Sequence, residues 1–427
     1  MLSPRVIRLL RLVMPASVLC SALLACREDP VEPPPPRGSA AEVIYCAAAA
    51  PIWVAFRDGD GSWERALPEA SGSRTAFRHV FTSERAAIAS LMPGFAGEFT
   101  VLRVLYGTPA ELSAEGDTTA ASCVVDAGKS LRGSVSGVDL TQLAVVNVGT
   151  SLRTAVNPRL GLDFSVESVP NGPQDLLAAR TTDGPSPTRL ILRRDLDLPD
   201  GSLIPGLDFE SSEAFDVMTA NVTYENLGGD AAVNFTRLIT RHGDFPIPLL
   251  PVTTTRTTQP YAGLPPGKLL AGDLQQLHVS ANGTAFRTAN MFFRVPVART
   301  VRLGDPIARP SITAIASDGT LRPRARFVSQ PDYDRVTSIV YQQPARPAFV
   351  LTSMTPAYAA RSGGYTLDVP DLSAVAGFDA SWALRPGLIT TWTASRVGGT
   401  LPFGRNPVPT DGATRLTGTM QDTISLP

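Results

Sequence analysis

Proline is the feature that most limits what this chain can fold into. The 38 prolines recur along all 427 residues, and a proline inside a helix removes a hydrogen bond and clashes with the preceding turn. Between the prolines lie short apolar runs bounded by turn residues, a pattern typical of strands joined by turns. Hydrophobic residues make up 43% of the chain, which is enough for extensive cores. The sequence therefore predicts an all-β protein of several antiparallel β-sandwich units in tandem.

The charge balance argues against a nucleic-acid partner. The chain has 38 Lys and Arg against 39 Asp and Glu, a formal net charge of −1. Proteins that bind the phosphate backbone carry a clustered excess of positive charge. We therefore expect no nucleic acid among the partners of this chain.

The N-terminus carries the pattern of an export signal. Arg5, Arg8 and Arg11 precede an apolar run that ends in Leu-Leu-Ala-Cys at Leu23–Cys26. Basic residues, an apolar segment and a small residue before the cleavage site are the parts of a secretory signal. This ending resembles the bacterial lipoprotein signal, which implies that residues 1–25 are removed and that Cys26 is lipidated. An ordinary signal peptide, in which Cys26 is incidental, is the alternative.

Residues 26–40 are expected to form a tether after the signal. Five prolines between Pro30 and Pro36 favour extended polyproline II, which would hold the folded part away from the membrane surface. Arg27 follows the expected lipidation site, whereas aspartate there is the usual inner-membrane retention signal in enteric-type bacteria. We therefore expect an exported protein that is lipid-anchored to the cell envelope, with the outer membrane favoured over the inner membrane.

The cysteines predict one disulfide bond in the exported part. Of the four, Cys20 lies in the signal and Cys26 is the expected lipidation site, which leaves Cys46 and Cys123. An oxidising compartment favours their pairing. The bond would close a long loop, which stabilises a fold by about 4–5 kcal/mol in the chain-entropy model. Two free thiols are the alternative.

The first folded unit is expected at residues 41–128. Apolar runs predict strands at residues 43–46, 52–56, 76–81, 86–91 and 99–106. The sequence Asp-Gly-Asp-Gly at 58–61 predicts a hairpin, although carboxylates such as Asp58 and Asp60 are also the ligands that calcium prefers. Thr108, Pro109 and Glu111 have the order of a helix start, with a hydroxyl, a proline and an acid.

The second unit is expected at residues 129–203. It contains Gly-Ser-Val at 133–135, a strand-like run at 144–148 and the sequence FSVESVPNG at 164–172. This order resembles the carboxypeptidase regulatory-like (transthyretin-like) β-sandwich family, which implies a structural or binding module without an active site. A long strand is predicted at 190–198, where Arg194 among the leucines requires a bulge or a buried ion pair.

The rest of the chain is expected to form two further β units, at residues 204–307 and 308–427. Strand-like segments occur throughout this part, and Pro306 and Pro310 offer a boundary between the two units. A single large curved sheet would accommodate the same strands. One unit in place of two is therefore the alternative.

Motifs for catalysis are scarce in this chain. None of the three histidines, His79, His242 and His278, has a second histidine four residues later, as a helical zinc pair requires. No G-x-S-x-G sequence of a serine hydrolase occurs. We therefore predict no catalytic residue, no metal site and no cofactor.

Two kinds of side chain remain as candidates for a functional site. Aromatic rings on the surface could pack against sugar rings, and the candidates are Trp63, Trp382, Trp392, Tyr261 and Tyr358. Two carboxylates separated by roughly 5–10 Å in a cleft could act as an acid/base pair. The candidates for that pair are Asp195, Asp197, Asp368 and Asp371.

The sequence as a whole predicts a function class but names no substrate. We expect a lipid-anchored cell-envelope protein with a non-catalytic binding, adhesion or scaffolding role. Its partners would be the membrane, through the lipid, and an envelope protein or a glycan. The alternatives are an accessory carbohydrate-active or peptidase enzyme and a carrier that holds an apolar ligand on a curved C-terminal sheet.

Overall fold

One sheet of twelve strands runs through the described part of the protein. The structure is a computed structural model, and it describes residues 41–46, 51–71, 74–94, 99–114, 128–150, 153–181, 187–247, 253–283, 285–317, 319–344, 348–402 and 408–426. All of these residues belong to one unit of the chain, Ala40–Pro427. Strands make up nearly all of the secondary structure, which confirms the prediction of an all-β protein.

The first part of the chain contributes strands to the large sheet and to a smaller one. Its elements are β1 (Ala41–Tyr45), β2 (Trp53–Asp58), β3 (Glu64–Arg65), β4 (Glu69–Ser71), β5 (Arg74–Phe81), β6 (Ala86–Pro93), β7 (Thr100–Gly107) and the helix α1 (Pro109–Ala114). The order β7-β6-β2-β3 forms one end of the large sheet, and β1-β5-β4 forms a separate sheet. The hairpin predicted at residues 58–61 is confirmed, because β2 pairs antiparallel with β3.

The sequence of β2 reflects burial on both of its faces. Trp53 and Ala55 pack into a core that also contains residues of the C-terminal strands. Val54 and Phe56 point to the opposite face and pack against residues of β1 and β5. Successive residues of a strand alternate between faces, so the part of β2 that is covered on both sides, Trp53–Phe56, is apolar at every position.

The second part of the chain forms a β-sandwich. Its strands are β8 (Lys129–Ser136), β9 (Leu143–Val148), β10 (Thr154–Val156), β11 (Asp163–Val169), β12 (Gln174–Thr181), β13 (Pro187–Leu196), β14 (Leu207–Asp208) and β15 (Phe215–Asp216). The sheets β10-β9-β12-β13-β15 and β11-β8-β14 enclose one core, to which Leu131, Val146, Val166 and Ile191 belong. The last two strands, β14 and β15, lie beyond residue 203.

The third part forms the other end of the large sheet and a layer that covers it. Its elements are β16 (Met218–Glu225), β17 (Ala231–Thr240), β18 (Gly243–Ile247), β19 (Thr258–Gly263), a 3-10 helix (Pro266–Lys268), β20 (Leu274–Asn282), β21 (Phe286–Phe293) and β22 (Arg299–Arg302). The order β18-β17-β20-β21 belongs to the large sheet, and β19-β16-β22 is the covering sheet. Val222, Tyr261 and Phe293 lie in the core between the two sheets.

The fourth part forms the middle of the large sheet. Its elements are β23 (Ser311–Ser317), β24 (Thr320–Phe327), β25 (Val336–Gln343), β26 (Ala348–Met354), α2 (Pro356–Ser362), β27 (Tyr365–Asp368), a 3-10 helix (Ala380–Trp382), β28 (Ile389–Gly398) and β29 (Thr414–Ser425). The order β29-β28-β25-β26 belongs to the large sheet, and β23-β24-β27 packs over it.

Two strand pairings join the first, third and fourth parts of the chain into the large sheet. β21 pairs antiparallel with β29, and β26 pairs parallel with β7. These pairings cross the expected boundaries near residues 307 and 128, so the sandwich units in tandem share a sheet. The domain boundaries themselves remain a prediction. Among the described residues, no helix combines the length and apolarity needed to cross a membrane.

The local predictions at Thr108 and Arg194 are confirmed. The Glu111 amide donates to Thr108 Oγ1, and the Thr108 amide donates to Glu111 Oε2, each at 3.2 Å, which is a capping box. The β12–β13 register shifts beside Arg194, and Asp195 has φ 51°. Arg194 also bridges the buried Asp175 and Asp273 carboxylates at 2.9 and 2.5 Å. Both the bulge and the buried ion pair are therefore present.

Candidate functional site

A cleft between the N-terminal and C-terminal strands gathers polar and aromatic side chains. One wall consists of β2, β7 and the turn before β3, and the other consists of β24, β27 and α2. Its volume is about 540 Å³, within the range of roughly 300–1,000 Å³ that is typical of small-ligand sites. The functional groups that line it are Arg57, Arg322, Arg324, Asp60, Asp368, Asp371, Trp63, Tyr106 and Tyr358.

Arg57 anchors the N-terminal wall of the cleft. Its guanidinium carbon lies 5.2 Å from the centre of the Trp63 ring and 5.4 Å from that of Tyr106, within the range of cation–π attraction. Its Nη2 donates to the Tyr358 hydroxyl at 3.3 Å. The hairpin between β2 and β3 brings Trp63 back beside the end of β2. The aromatic contacts therefore hold the guanidinium group in one place.

The alternation of residues along β24 determines which of its side chains form the C-terminal wall. Arg322 and Arg324 share a face of this strand, whereas Leu321 and Ala325 are fully buried on the other. The pairing of β24 with β27 places Asp368 opposite Arg324. Arg324 Nε and Nη2 donate to the two oxygens of this carboxylate at 2.6 and 3.2 Å, a bidentate geometry that fixes both groups.

Asp371 forms the second ion pair of this wall. Arg322 Nη1 donates to its Oδ2 at 2.6 Å. Hydrogen bonds from the side chain and then the backbone amide of Ser373 hold the pKa of the Asp371 carboxyl below its usual range, and Arg322 acts in the same direction. Asp371 is therefore ionised at neutral pH, whereas the general acid of a glycosidase needs a raised pKa.

Tyr106 closes the base of the cleft in its protonated form. Its hydroxyl donates to the backbone carbonyl of Asp368 at 2.9 Å. Burial raises the pKa of Tyr106 well above its usual value, although the Arg57 charge acts in the opposite direction. Tyr106 thus links the two walls as a hydrogen-bond donor throughout the neutral range.

Two guanidinium nitrogens of the cleft lack partners. Arg57 Nε and Arg322 Nε are buried, and neither has a hydrogen-bond partner among the described residues. Buried polar groups are nearly always paired in native proteins, and leaving one unpaired costs about 1–3 kcal/mol. Because they are fully buried, these two nitrogens are not accessible from the cleft, and unpaired Nε atoms also occur at Arg189, Arg287, Arg299 and Arg396 elsewhere in the described residues.

The aromatic residues singled out in the sequence separate into two groups. Trp63 and Tyr358 line the cleft, but only the Trp63 ring is partly exposed, because Tyr358 is 6% exposed and belongs to the large core. Trp392 and Tyr261 are 1% exposed and belong to the core. Trp382 packs against other rings of the large core, with its centroid 5.5 Å from that of Phe378 and 6.3 Å from that of Trp53.

The candidate carboxylates also separate. Asp368 and Asp371 lie together in the cleft, each paired with an arginine. Asp195 lies in the bulge of β13, 3.5 Å from His242 Nε2. Asp197 lies 3.7 Å from Lys129 Nζ and is mostly exposed. The structure thus brings together one of the expected pairs and places the other two aspartates elsewhere.

The carboxylates considered for calcium are occupied by protein donors. Asp58 accepts hydrogen bonds from the Thr82 amide and hydroxyl at 2.8 and 2.6 Å and from the Ser83 amide at 2.8 Å. Asp60 forms an ion pair with Arg85. These contacts tie the β2–β3 hairpin to the turn between β5 and β6. Among the described residues, no group of three or more His, Cys, Asp or Glu is arranged to hold a metal ion.

The three histidines occupy separate places in the fold. His79 stacks on Phe56 with ring centroids 5.0 Å apart, and His278 stacks on Phe235 at 4.5 Å. Burial lowers the pKa of both rings, so both are neutral at pH 7. His242 lies in the turn between β17 and β18.

The expected modification sites lie mostly outside the described residues. Cys46 is fully buried after β1 and is disulfide-bonded. Cys123 and Cys26 are not among the described residues, so the pairing of Cys46 with Cys123 and the lipidation of Cys26 remain predictions.

The arginines of the cleft were not anticipated from the sequence. A signal for two of them exists, because Arg322 and Arg324 alternate with apolar residues in the run Leu321–Ala325. Such alternation indicates a charged strand face, and charged strand faces are usually solvated. Only the contacts with β27 and with the N-terminal strands distinguish this face from an ordinary surface.

Comparison with known proteins leaves the family of this chain open. No protein-family model and no curated protein matches the chain. Among solved structures, it is similar to a proposed carbohydrate-binding protein from Bacteroides uniformis ATCC 8492, with 9% identity over 49% of this chain and 98% of that one, at a TM-score of 0.19. It is also similar to the FN1–FN3 domains of chicken CNTN1, with 9% identity over 91% and 95% of the two chains, at a TM-score of 0.16. Similarities at these scores carry no argument about fold or function.

Proposed function

We propose that this chain is a lipid-anchored cell-envelope protein that binds a glycan in the cleft and has no catalytic role of its own. The observation that carries the proposal is the cleft itself, where the partly buried Trp63 ring lies beside the Arg57 guanidinium group and the opposite wall presents the Arg322–Asp371 and Arg324–Asp368 pairs. Hydroxyl groups of a sugar would exchange hydrogen bonds with these charged side chains.

The remaining groups of the cleft suit the same ligand class. The partly exposed ring of Trp63 offers an apolar surface to the C–H face of a sugar. The Arg324–Asp368 pair presents donors and acceptors in a fixed geometry. A mostly preformed site with a few oriented polar groups is typical of small-ligand binding.

The export signal supports the location of this activity. The lipoprotein-like sequence at Leu23–Cys26 and the proline-rich segment after it would attach the chain to the cell envelope on a spacer. Arg27, in the position after the lipidated cysteine, favours the outer membrane. A glycan or a glycan-bearing envelope protein is the partner that such a location makes accessible.

A glycan microarray tests the binding half of the proposal. The mature lipidated chain, which begins at Cys26, is reconstituted in phosphatidylcholine nanodiscs and should bind a limited set of glycans. Arg57→Gln and Trp63→Ala should each reduce that binding about tenfold or more. Arg326→Gln is the matched control, since Arg326 is exposed on β24 and does not line the cleft. Binding that is absent, or that survives both cleft substitutions, would overturn the proposal.

Lipid labelling tests the anchoring half. Cells that express the chain with radiolabelled palmitate should incorporate label at Cys26, and Cys26→Ala should be unlabelled and lost from the membrane fraction. Cys20→Ala is the control, because Cys20 lies inside the segment that is removed. A Cys26→Ala chain that stays in the membrane as completely as the wild type would refute the lipid anchor.

A further inference from the structure

A second pocket lies on the opposite face of the large sheet from the cleft. Tyr106 and Met354 line the cleft, whereas their neighbours Leu105 and Ser353 line the second pocket, because successive strand residues face opposite sides. The second pocket has a volume of about 450 Å³. We call it the arginine pocket, after Arg103, Arg335 and Arg415, which line it.

The floor of the arginine pocket combines aliphatic side chains with the hydroxyl-bearing residues Ser338, Ser353 and Thr355. Four neighbouring strands of the sheet, β7, β26, β25 and β28, each contribute one aliphatic side chain to it, and these are Leu105, Leu351, Val336 and Val397. Leu401, from the segment after β28, lies against the same space and is 7% exposed. The amide of Leu401 donates to the Thr414 carbonyl at 2.9 Å, which fixes this wall against β29.

Arginines supply the charged side chains of the pocket lining within the part of the chain that the structure describes. They are Arg103, Arg335 and Arg415. Arg335 donates from Nε to the Gly399 carbonyl at 3.4 Å and lies 3.6 Å from Asp334, whose side chain is 56% exposed. Arg415 is exposed and forms no ion pair with another described residue.

We infer that the arginine pocket binds a free alkyl carboxylate, with its chain on the aliphatic floor and its carboxylate on the guanidinium groups. The aliphatic side chains of the floor alone would accept any aliphatic molecule. The guanidinium groups of Arg335 and Arg415 add donors that can form bidentate, charge-assisted hydrogen bonds with a carboxylate, and Arg415 forms no ion pair with another described residue. This inference is independent of glycan binding in the cleft.

Equilibrium dialysis of three probes tests both parts of the site. The mature lipidated chain in phosphatidylcholine nanodiscs is dialysed against octanoate, octanol or acetate, and empty nanodiscs give the blank. Octanoate should bind about tenfold or more tightly than either other probe, because octanol lacks the charge and acetate lacks the chain. Octanol or acetate binding as tightly as octanoate, or no octanoate binding above the blank, would overturn the inference.

Two sets of variants locate the site. Ser338 lies on the pocket floor, so Ser338→Glu should weaken octanoate binding about tenfold or more by placing a carboxylate there, whereas the isosteric Ser338→Gln should weaken it much less. The double substitution Arg335→Gln, Arg415→Gln should weaken octanoate binding by a similar factor and leave octanol binding unchanged. Arg326→Gln is the control for a lost surface charge.

The outcomes of these variants are decisive even if one protein is unstable. Urea unfolding of each variant identifies any that fails to fold, and the arginine double variant alters exposed or half-buried side chains only. Equal octanoate affinity in Ser338→Glu and Ser338→Gln, or an unchanged affinity in the folded arginine double variant, would place any binding outside this pocket and refute the inference.

Discussion

The Glu111 carboxylate accepts a 2.9 Å hydrogen bond from the backbone amide of Ala357, 246 residues further along the chain. It also accepts from the Thr355 hydroxyl at 2.5 Å and from the Thr108 amide at 3.2 Å. Thr355 is the N-cap of α2 but makes no capping bond of its own, so Glu111 satisfies the helix start in its place. The contact is available because α1 and α2 follow β7 and β26, which pair in parallel and end at the same edge.

Removal of the Glu111 carboxylate should destabilise the junction between the first and last parts of the chain. Glu111→Ala leaves the Ala357 and Thr108 amides and the Thr355 hydroxyl without their acceptor, so we expect the free energy of unfolding to fall by about 2–3 kcal/mol. Urea denaturation measures the change. Glu84→Ala is the control, because Glu84 forms an exposed ion pair with Arg361 and such pairs contribute less than about 1 kcal/mol. Equal effects of the two substitutions would contradict this role of Glu111.

The ion pairs of Arg194 should have a larger effect than any surface pair. The Asp175 and Asp273 side chains are 4% and 5% exposed, so Arg194→Met leaves two buried carboxylates without their shared cation. We expect a loss of about 3–5 kcal/mol, measured by urea denaturation, and partial recovery when both aspartates are also replaced by asparagine.

Arg309 provides the matched control for Arg194. It forms an ion pair with Asp422, and the two side chains are 61% and 37% exposed. Arg309→Met should therefore cost less than about 1 kcal/mol. If Arg194→Met loses no more unfolding free energy than Arg309→Met, the buried ion pairs contribute little to stability. The same conclusion follows if replacing both aspartates restores none of the loss.

The stability of the protein should fall in acid, and Asp175 should account for part of the loss. Burial alone would raise the pKa of this carboxyl, but hydrogen bonds from the Asp195 amide, the Thr240 hydroxyl and Arg194 lower it below its ordinary value of 3.8. A pKa that is lower in the folded state gives stability that is present above the unfolded pKa and is lost as the pH falls through the folded pKa. The free energy of unfolding of Asp175→Asn should therefore decline less steeply than that of the wild type between about pH 5 and pH 2. Urea unfolding midpoints across this pH range measure the decline. An equally steep decline in Asp175→Asn would refute the contribution of Asp175.

Local chemistry made several elements predictable from the sequence. The start of α1 follows from Thr108, Pro109 and Glu111, whose capping interactions involve only neighbouring residues. The bulge and ion pair at Arg194 follow from a long charged side chain on a strand that must bury its leucines. The start of α1 is determined by residues within one turn of the helix. The bulge at Arg194 is determined by the burial pattern of a single strand.

The cleft was not predictable in this way, because it depends on the order of strands in the large sheet. Arg57 and Asp368 lie in the first and last parts of the chain and share a cleft only because β7 pairs with β26. The periodicity of a strand indicates which residues share a face, but not which strand lies beside it. Asp368 and Asp371 were therefore considered as an acid/base pair, whereas their arginine partners, Arg324 and Arg322, were missed.

The disulfide bond of Cys46 should be an important constraint on the first part of the chain. Cys46 is fully buried beside Ala76 and is disulfide-bonded; with Cys123 as its partner, its loss should lower the free energy of unfolding by about 4–5 kcal/mol. Cys46→Ser tests this by urea denaturation, and Ala76→Ser is the matched control, because it adds a hydroxyl to the same buried space and leaves the bond intact.

Alkylation of the unfolded, unreduced Cys46→Ser chain identifies the partner, since Cys123 should react in this variant and not in the wild type. Reaction of Cys123 in the unreduced wild type would refute the pairing, and equal destabilisation by Ala76→Ser would assign the effect to packing.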